Sequence, residues 1–173
     1  MDQQVSRSVE EHRQAAPERI RCAVLTLSDT RTEAEDRSGA FIRQALDWSG
    51  HDVTAYRVLP DDPAQIRPLL AEWAERGDID AILTNGGTGI ARRDSTYDAI
   101  TSLLDKRLDG FGELFRMLSY QQIGAAAMLS RAIAGTIGNT IVIAMPGSSN
   151  AVQLAMEKLV LPEIRHLVFE LRK

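Results

Sequence analysis

From Ile20 onward, short apolar runs alternate with segments whose apolar residues recur at helical spacing. Residues 20–27, IRCAVLTL, are apolar and partly β-branched over a length that fits a buried strand. In residues 40–50, Phe41, Ile42, Ala45, Leu46 and Trp48 share a helical face, and Gly50 supplies a stop. Residues 51–59 set Val53, Ala55, Arg57 and Leu59 on one face of a strand that Pro60 ends. A helix over 61–77 opens with acids and Pro63 and closes at Gly77, with Pro68 inside it. Residues 78–84 form a third strand, 95–107 a helix capped by Ser95 or Thr96, and 112–123 a short helix. A further strand lies within 137–146, and the amphipathic stretch after it is a long helix, kinked or split at Pro162. The polar residues 1–19 read as a flexible tail ahead of one domain spanning 20–173.

Strands alternating with helices predict an α/β fold: a three-layer arrangement with a mainly parallel sheet and helices on both faces. Such sheets bind ligands outside the carboxyl ends of their strands. The predicted strands end at Ser28-Asp29, at Pro60-Asp61-Asp62, at Thr84-Asn85-Gly86-Gly87 and at Met145-Pro146-Gly147-Ser148. Parallel strands would gather these polar ends along one rim.

The third end continues as TNGGTGIARRDST, residues 84–96. Gly86, Gly87 and Gly89 permit positive φ and close approach of a ligand to the backbone. Successive amides in such a loop make an anion-binding concavity, and Arg92 and Arg93 add guanidinium groups suited to phosphate. The stretch matches neither GxxxxGK[ST] nor GxGxxG, so it is an unassigned phosphate loop or a plain turn. Pro146-Gly147-Ser148 reads equally as a second anion site or as a turn with Ser148 as helix cap. Asp62 reads as a helix-start acid. For Asp61 and Asp94 that role and magnesium binding beside phosphates are compatible.

Composition narrows the partners. The 173 residues are 44% hydrophobic and 25% charged, as in a soluble globular domain. A net charge of -4 argues against broad binding to nucleic acid or anionic membranes. Cys22 is the only cysteine, so neither an internal disulfide nor a cysteine-based zinc cluster is expected, and His12, His51 and His166 read as unrelated residues. No apolar run is long enough for a membrane span or a secretory signal, which makes the cytoplasm the expected location.

The motifs LTLSDTR (25–31), EDRSG (35–39), LPDD (59–62), TNGGTGIARRDST (84–96), GFGELFRMLSY (110–120), AAAMLSRAIAG (126–135) and MPGSSNAV (145–152) together resemble the MoaB/MogA family of molybdenum cofactor biosynthesis. The resemblance runs in order from about Ile20 to the C-terminus. It implies a Rossmann-like molybdopterin-binding fold, assembled as a homotrimer or homohexamer. It also implies an adenylyltransferase that moves AMP from ATP, with magnesium, to the terminal phosphate of molybdopterin and releases diphosphate.

Carried onto this chain, the catalytic and magnesium-handling acids are Asp61 and Asp94. The phosphate and pterin contacts fall to Ser28, Asp29, Thr84, Asn85, Gly86, Gly87, Thr88, Gly89 and Arg93. Glu113, Ser119, Ser130, Arg131, Pro146, Gly147 and Ser148 complete the implied pocket. Some MoaB-type members resemble the fold but lack the acidic pair. This chain keeps both acids, so an active enzyme is expected, the alternative being a molybdopterin-binding scaffold of the same pathway.

Overall fold

The computed structural model describes residues 7–173, with side chains from Ser8 onward. Six strands form one sheet in the order β2-β1-β3-β6-β5-β4. Strands β1 (Arg21–Leu27), β2 (Asp52–Leu59), β3 (Ala81–Asn85) and β6 (Thr140–Met145) run parallel, and β5 (Ile133–Ile137) lies antiparallel to β6. The two-residue β4 (Lys106–Arg107) pairs antiparallel with β5 at the far edge.

The expected layering holds. On one face, α2 (Arg37–Trp48), α5 (Asp109–Ile123), α6 (Ser149–Ala155) and α7 (Leu161–Leu171) contribute to a core built around Val24, Leu83, Phe115, Ile143, Val152 and Ile164. On the other, α3 (Pro63–Glu75) and α4 (Thr96–Thr101) cover Leu25, Ile82, Val142 and Ala144, with Ile66, Leu70, Trp73 and Ile100 pointing inward. Strands β1, β3 and β6 are mostly apolar and, apart from the half-buried Arg21 at the start of β1, buried along their length because helices cover both of their faces.

Four elements differ from expectation. The segment read as a tail carries a helix, α1 (Arg7–Ala15), while residues 1–6 lie outside the described part of the chain. Arg13 of α1 pairs with Glu163 of α7, and Arg165 of α7 donates to the carbonyls of Pro17 and Ala16, just after α1, at 2.6 and 3.2 Å. Along β2 the alternation breaks. The register slips between Cys22 and Ala23, so Val53 joins one core while Ala55 and Leu59 join the other.

The helix expected over 95–107 stops at Thr101. Lys106 and Arg107 then pair with β5, where a side chain at Gly135 would lie 2.2 Å from the Lys106 carbonyl; glycine permits the approach. Residues 126–135, read without a strand, pass from a 3-10 turn (Gly124–Leu129) into β5. The long final helix is divided as expected near Pro162: a wider π turn (Met156–Val160) separates α6 from α7.

Candidate functional site

Strand register decides what meets at the rim. Thr26 lies level with Asn85, and Asn85 with Met145; Leu27 lies level with Leu59. The residues that follow each strand therefore emerge at one height, as the parallel arrangement predicts. Hydrogen bonds then stitch them together. The Ser28 N–H donates to the Leu59 carbonyl at 2.9 Å, and the Asp61 N–H to Asp29 Oδ1 at 3.0 Å. The Gly86 N–H donates to the Met145 carbonyl at 3.1 Å, and the Ser38 hydroxyl to the Gly147 carbonyl at 3.1 Å.

Two glycines in the loop have left-handed backbones, Gly86 at φ 94° and Gly87 at φ 64°. Each is also pressed closely. A Cβ on Gly86 would sit 2.1 Å from the Leu27 carbonyl oxygen. On Gly87 it would sit 2.1 Å from Thr96 Oγ1 and 2.8 Å from Asp61 Oδ2, and on Gly89 it would sit 2.4 Å from Asp94 Oδ2. Both carboxylates of the acidic pair thus lie against the bare face of the glycine loop.

The acids are held differently. Asp61 Oδ1 accepts the Ser95 hydroxyl at 2.9 Å and the Thr96 hydroxyl at 2.7 Å, and the Ser95 N–H reaches both carboxylate oxygens. Ser95 takes the N-cap position of α4 as expected but makes no side-chain capping bond; its hydroxyl and that of Thr96 donate instead to Asp61, which adds negative charge at the helix start. Asp94 Oδ2 accepts only the local Ala91 N–H, at 2.9 Å, among the bonds of the described residues. Asp62 is a structural cap, accepting the Ala64 N–H, and its bonds from Gln65 and Ala64 lower its pKa.

Arg131 lies across the loop from the other side. Its guanidinium donates to the Thr88 carbonyl at 3.0 Å and the Gly89 carbonyl at 2.8 Å, faces Asp98, and stacks 4.5 Å over the Tyr97 ring. With every peptide of the described residues trans, carbonyls held toward Arg131 turn the N–H groups of Gly89 and Ile90 the opposite way. Thr84 and Asn85 end β3 fully buried. Asn85 donates its side-chain amide to the Thr26 hydroxyl, but Thr84 Oγ1 and Asn85 Oδ1 have no hydrogen-bond partner among the described residues.

The other expected site residues fall in three places. Arg93 is exposed beside Asp94, while Ser148 begins α6 and accepts the Ala151 N–H at 3.3 Å, next to Pro146 and Gly147. Glu113 lines a small cavity of about 170 Å³ with Tyr97, Arg107, Arg116 and Ala132. Tyr97 connects that cavity to the loop, because Arg131 covers its ring. Ser130 immediately precedes Arg131, and Ser119 lies on the buried stripe of α5 with Gly112 and Phe115.

The sequence reading passed over Thr26, Ser38, Ser95 and Thr96 as site-forming residues. Small hydroxyl side chains have no long-range signature. The signal for Ser95 and Thr96 was their direct succession to Asp94 in the glycine stretch.

The carboxyl rim of this mainly parallel α/β sheet thus carries a glycine loop and two carboxylates, at the place where sheets of this class bind ligands. The family described as "Probable molybdopterin binding domain" matches residues 23–166. The Molybdenum cofactor biosynthesis protein B of Bacillus cereus is 53% identical over 167 residues, covering 96% of this chain and 99% of that protein. A crystal structure of a Molybdenum cofactor biosynthesis protein B superposes with TM-score 0.88 at 53% identity, over 91% of this chain and 98% of the other. The tungsten cofactor synthesizing protein MoaB from Pyrococcus furiosus gives TM-score 0.82 at 37% identity, over 91% and 100%. The chain belongs to the MoaB/MogA family of molybdenum cofactor biosynthesis proteins.

Proposed function

We propose that this protein acts in molybdenum cofactor biosynthesis as a molybdopterin adenylyltransferase, moving AMP from ATP to the terminal phosphate of molybdopterin. One observation carries the reading: Asp61 and Asp94 both rest against the glycine loop at the end of β3, where the family resemblance requires its acidic pair.

The residues fit such a ligand set. The N–H groups of Gly89 and Ile90, turned away from Arg131, suit phosphate oxygens, and the exposed Arg92 and Arg93 offset further negative charge. Asp94, with only a local bond, and Asp61 Oδ2 are the carboxylate oxygens suited to magnesium on the triphosphate. When bound, magnesium supplies charge neutralisation between the two anionic substrates. The buried Thr84 hydroxyl and Asn85 carbonyl offer further polar contacts.

A molybdopterin phosphate oxygen then attacks the α-phosphorus of ATP. The new P–O bond forms as the bond to the bridging oxygen of the β-phosphate breaks, and diphosphate leaves with the electron pair. The attacking phosphate is already an anion, so no general base is needed. The residues of this chain position the reactants and stabilise charge.

The test is AMP transfer by purified protein with molybdopterin, ATP and magnesium, with Asp94→Asn in parallel. Wild type should form adenylylated pterin, and Asp94→Asn should lose at least about a hundredfold in rate, the order expected for loss of an electrostatic group at the reacting centre. Tight molybdopterin binding without product in wild type would make the chain a scaffold. Equal turnover in the two proteins would remove Asp94 from the chemistry.

A further inference from the structure

Two of the three histidines, distant in sequence, meet on the face opposite in kind to the glycine rim: helical, solvent-facing and rich in paired charge. His12 of α1 faces His166 and Glu170 of α7, with ligand-capable atoms of all three within 4.8 Å of one another. His166 and Glu170 stand four residues apart, one above the other on a single helix face. His12 Nδ1 lies 2.8 Å from Glu170 Oε1, and His166 Nε2 lies 3.5 Å from the same oxygen.

The second nitrogen of His166 is already engaged. Its Nδ1 lies 2.9 Å from Glu163 Oε2, and Glu163 pairs in turn with Arg13 of α1. A carboxylate on Nδ1 fixes the tautomer that leaves the Nε2 lone pair facing Glu170 and His12, the arrangement that supports metal-bound histidines. A cation is also stable at this point. The Lys173 ammonium sits 2.7 Å from Glu170 Oε1 and 3.1 and 3.4 Å from the two ring nitrogens of His12.

We propose that His12, His166 and Glu170 form a surface site for a divalent transition-metal ion of the zinc class, closing α1 onto α7. Two imidazoles and one carboxylate are a ligand set that zinc accepts, with a fourth position left to water. Glu163 serves as the outer partner of His166, and Lys173 competes with the ion as the resident cation. The remaining candidates for soft or borderline ligation are out of reach. His51 is buried, and its Nδ1 receives the Ile20 N–H; Cys22 is buried, which pushes its thiol pKa up.

The experiment is titration of the full chain with Zn(II) by calorimetry and with Co(II) by visible absorption, near neutral pH. Wild type should bind one ion per chain at this site. His12→Gln and His166→Gln should each weaken binding at least tenfold. Glu163→Gln should weaken it about tenfold or more, the usual effect of losing an outer-shell partner. Lys173→Ala should bind more tightly than wild type.

Asp94→Asn should leave this binding unchanged, which separates it from magnesium handling at the rim. Because His12 is partly exposed, His12→Gln should keep the wild-type circular dichroism, and Zn(II) should raise the Tm of wild type but not of that variant. No binding by wild type, or equal affinity in wild type and both histidine variants, would overturn the proposal.

Discussion

Asp61 and Asp94 share a charge, a loop and an implied chemistry, yet their surroundings give them different structural weights. Asp61 receives the Ser95 and Thr96 hydroxyls and the Ser95 N–H, so it joins the end of β2 to the start of α4. Asp94 bonds within its own turn. Replacing Asp61 with Asn keeps the size but loses charge-assisted acceptance at a helix start. The expected cost is about 1–2 kcal/mol. In a chain of this length that corresponds to roughly 3–6 °C in Tm. Asp94→Asn should move Tm far less. Thermal unfolding of the two variants side by side measures the difference, and equal Tm losses would mean that Asp61 has no special anchoring role. An activity loss in Asp61→Asn is therefore interpretable only beside its stability, whereas a loss in Asp94→Asn reads more directly on the site.

Among the elements, the glycine loop is the least tolerant of substitution because geometry and space both restrict it. Gly86 combines a positive φ with a backbone carbonyl where a Cβ would go, and Gly147 lies close on its other side. Gly86→Ala should destabilise the protein by more than about 2 kcal/mol, since left-handed strain and displacement of backbone add. Gly50 also has a positive φ, but open space surrounds it, so Gly50→Ala should cost only about 1 kcal/mol. Urea unfolding of both variants tests the contrast; similar midpoints would show that the loop can relax.

The same two terms explain what the sequence disclosed. The need for glycine after β3 was legible because the residues are consecutive and follow an apolar strand. The parallel rim was legible because strand ends carry their polar residues locally. Strands β4 and β5 were not legible. Lys106-Arg107 is too short and polar to show a strand period, and its pairing depends on Gly135, about thirty positions away. Arg131 was placed in the pocket by resemblance alone, and its grip on the Thr88 and Gly89 carbonyls is a tertiary contact without a local pattern. Helix α1 was missed for a similar reason: Arg13 and His12 meet Glu163, His166 and Glu170 of α7, about 150 positions away in the chain.

At the scale of the whole molecule, self-association is a prediction that an exposed apolar surface supports. Along α5, Leu114, Met117, Tyr120 and Ile123 recur every third residue and are 48–63% exposed, and Met128 and Leu129 extend the patch beyond it. Contiguous apolar surface of this kind marks interaction sites in soluble proteins. A second copy suits it, because a net charge of -4 gives only modest repulsion between copies. The resemblance adds the expected closed assemblies, a homotrimer or homohexamer. Light scattering should then give a mass three or six times the 19.1 kDa of one chain. Met117→Glu should shift the mass toward that of a single chain while leaving far-UV circular dichroism unchanged, because the side chain is half exposed and its loss removes little of the core. A wild-type mass of one chain at micromolar concentration would overturn the assembly. An unchanged mass in Met117→Glu would move the interface away from the exposed apolar residues of α5.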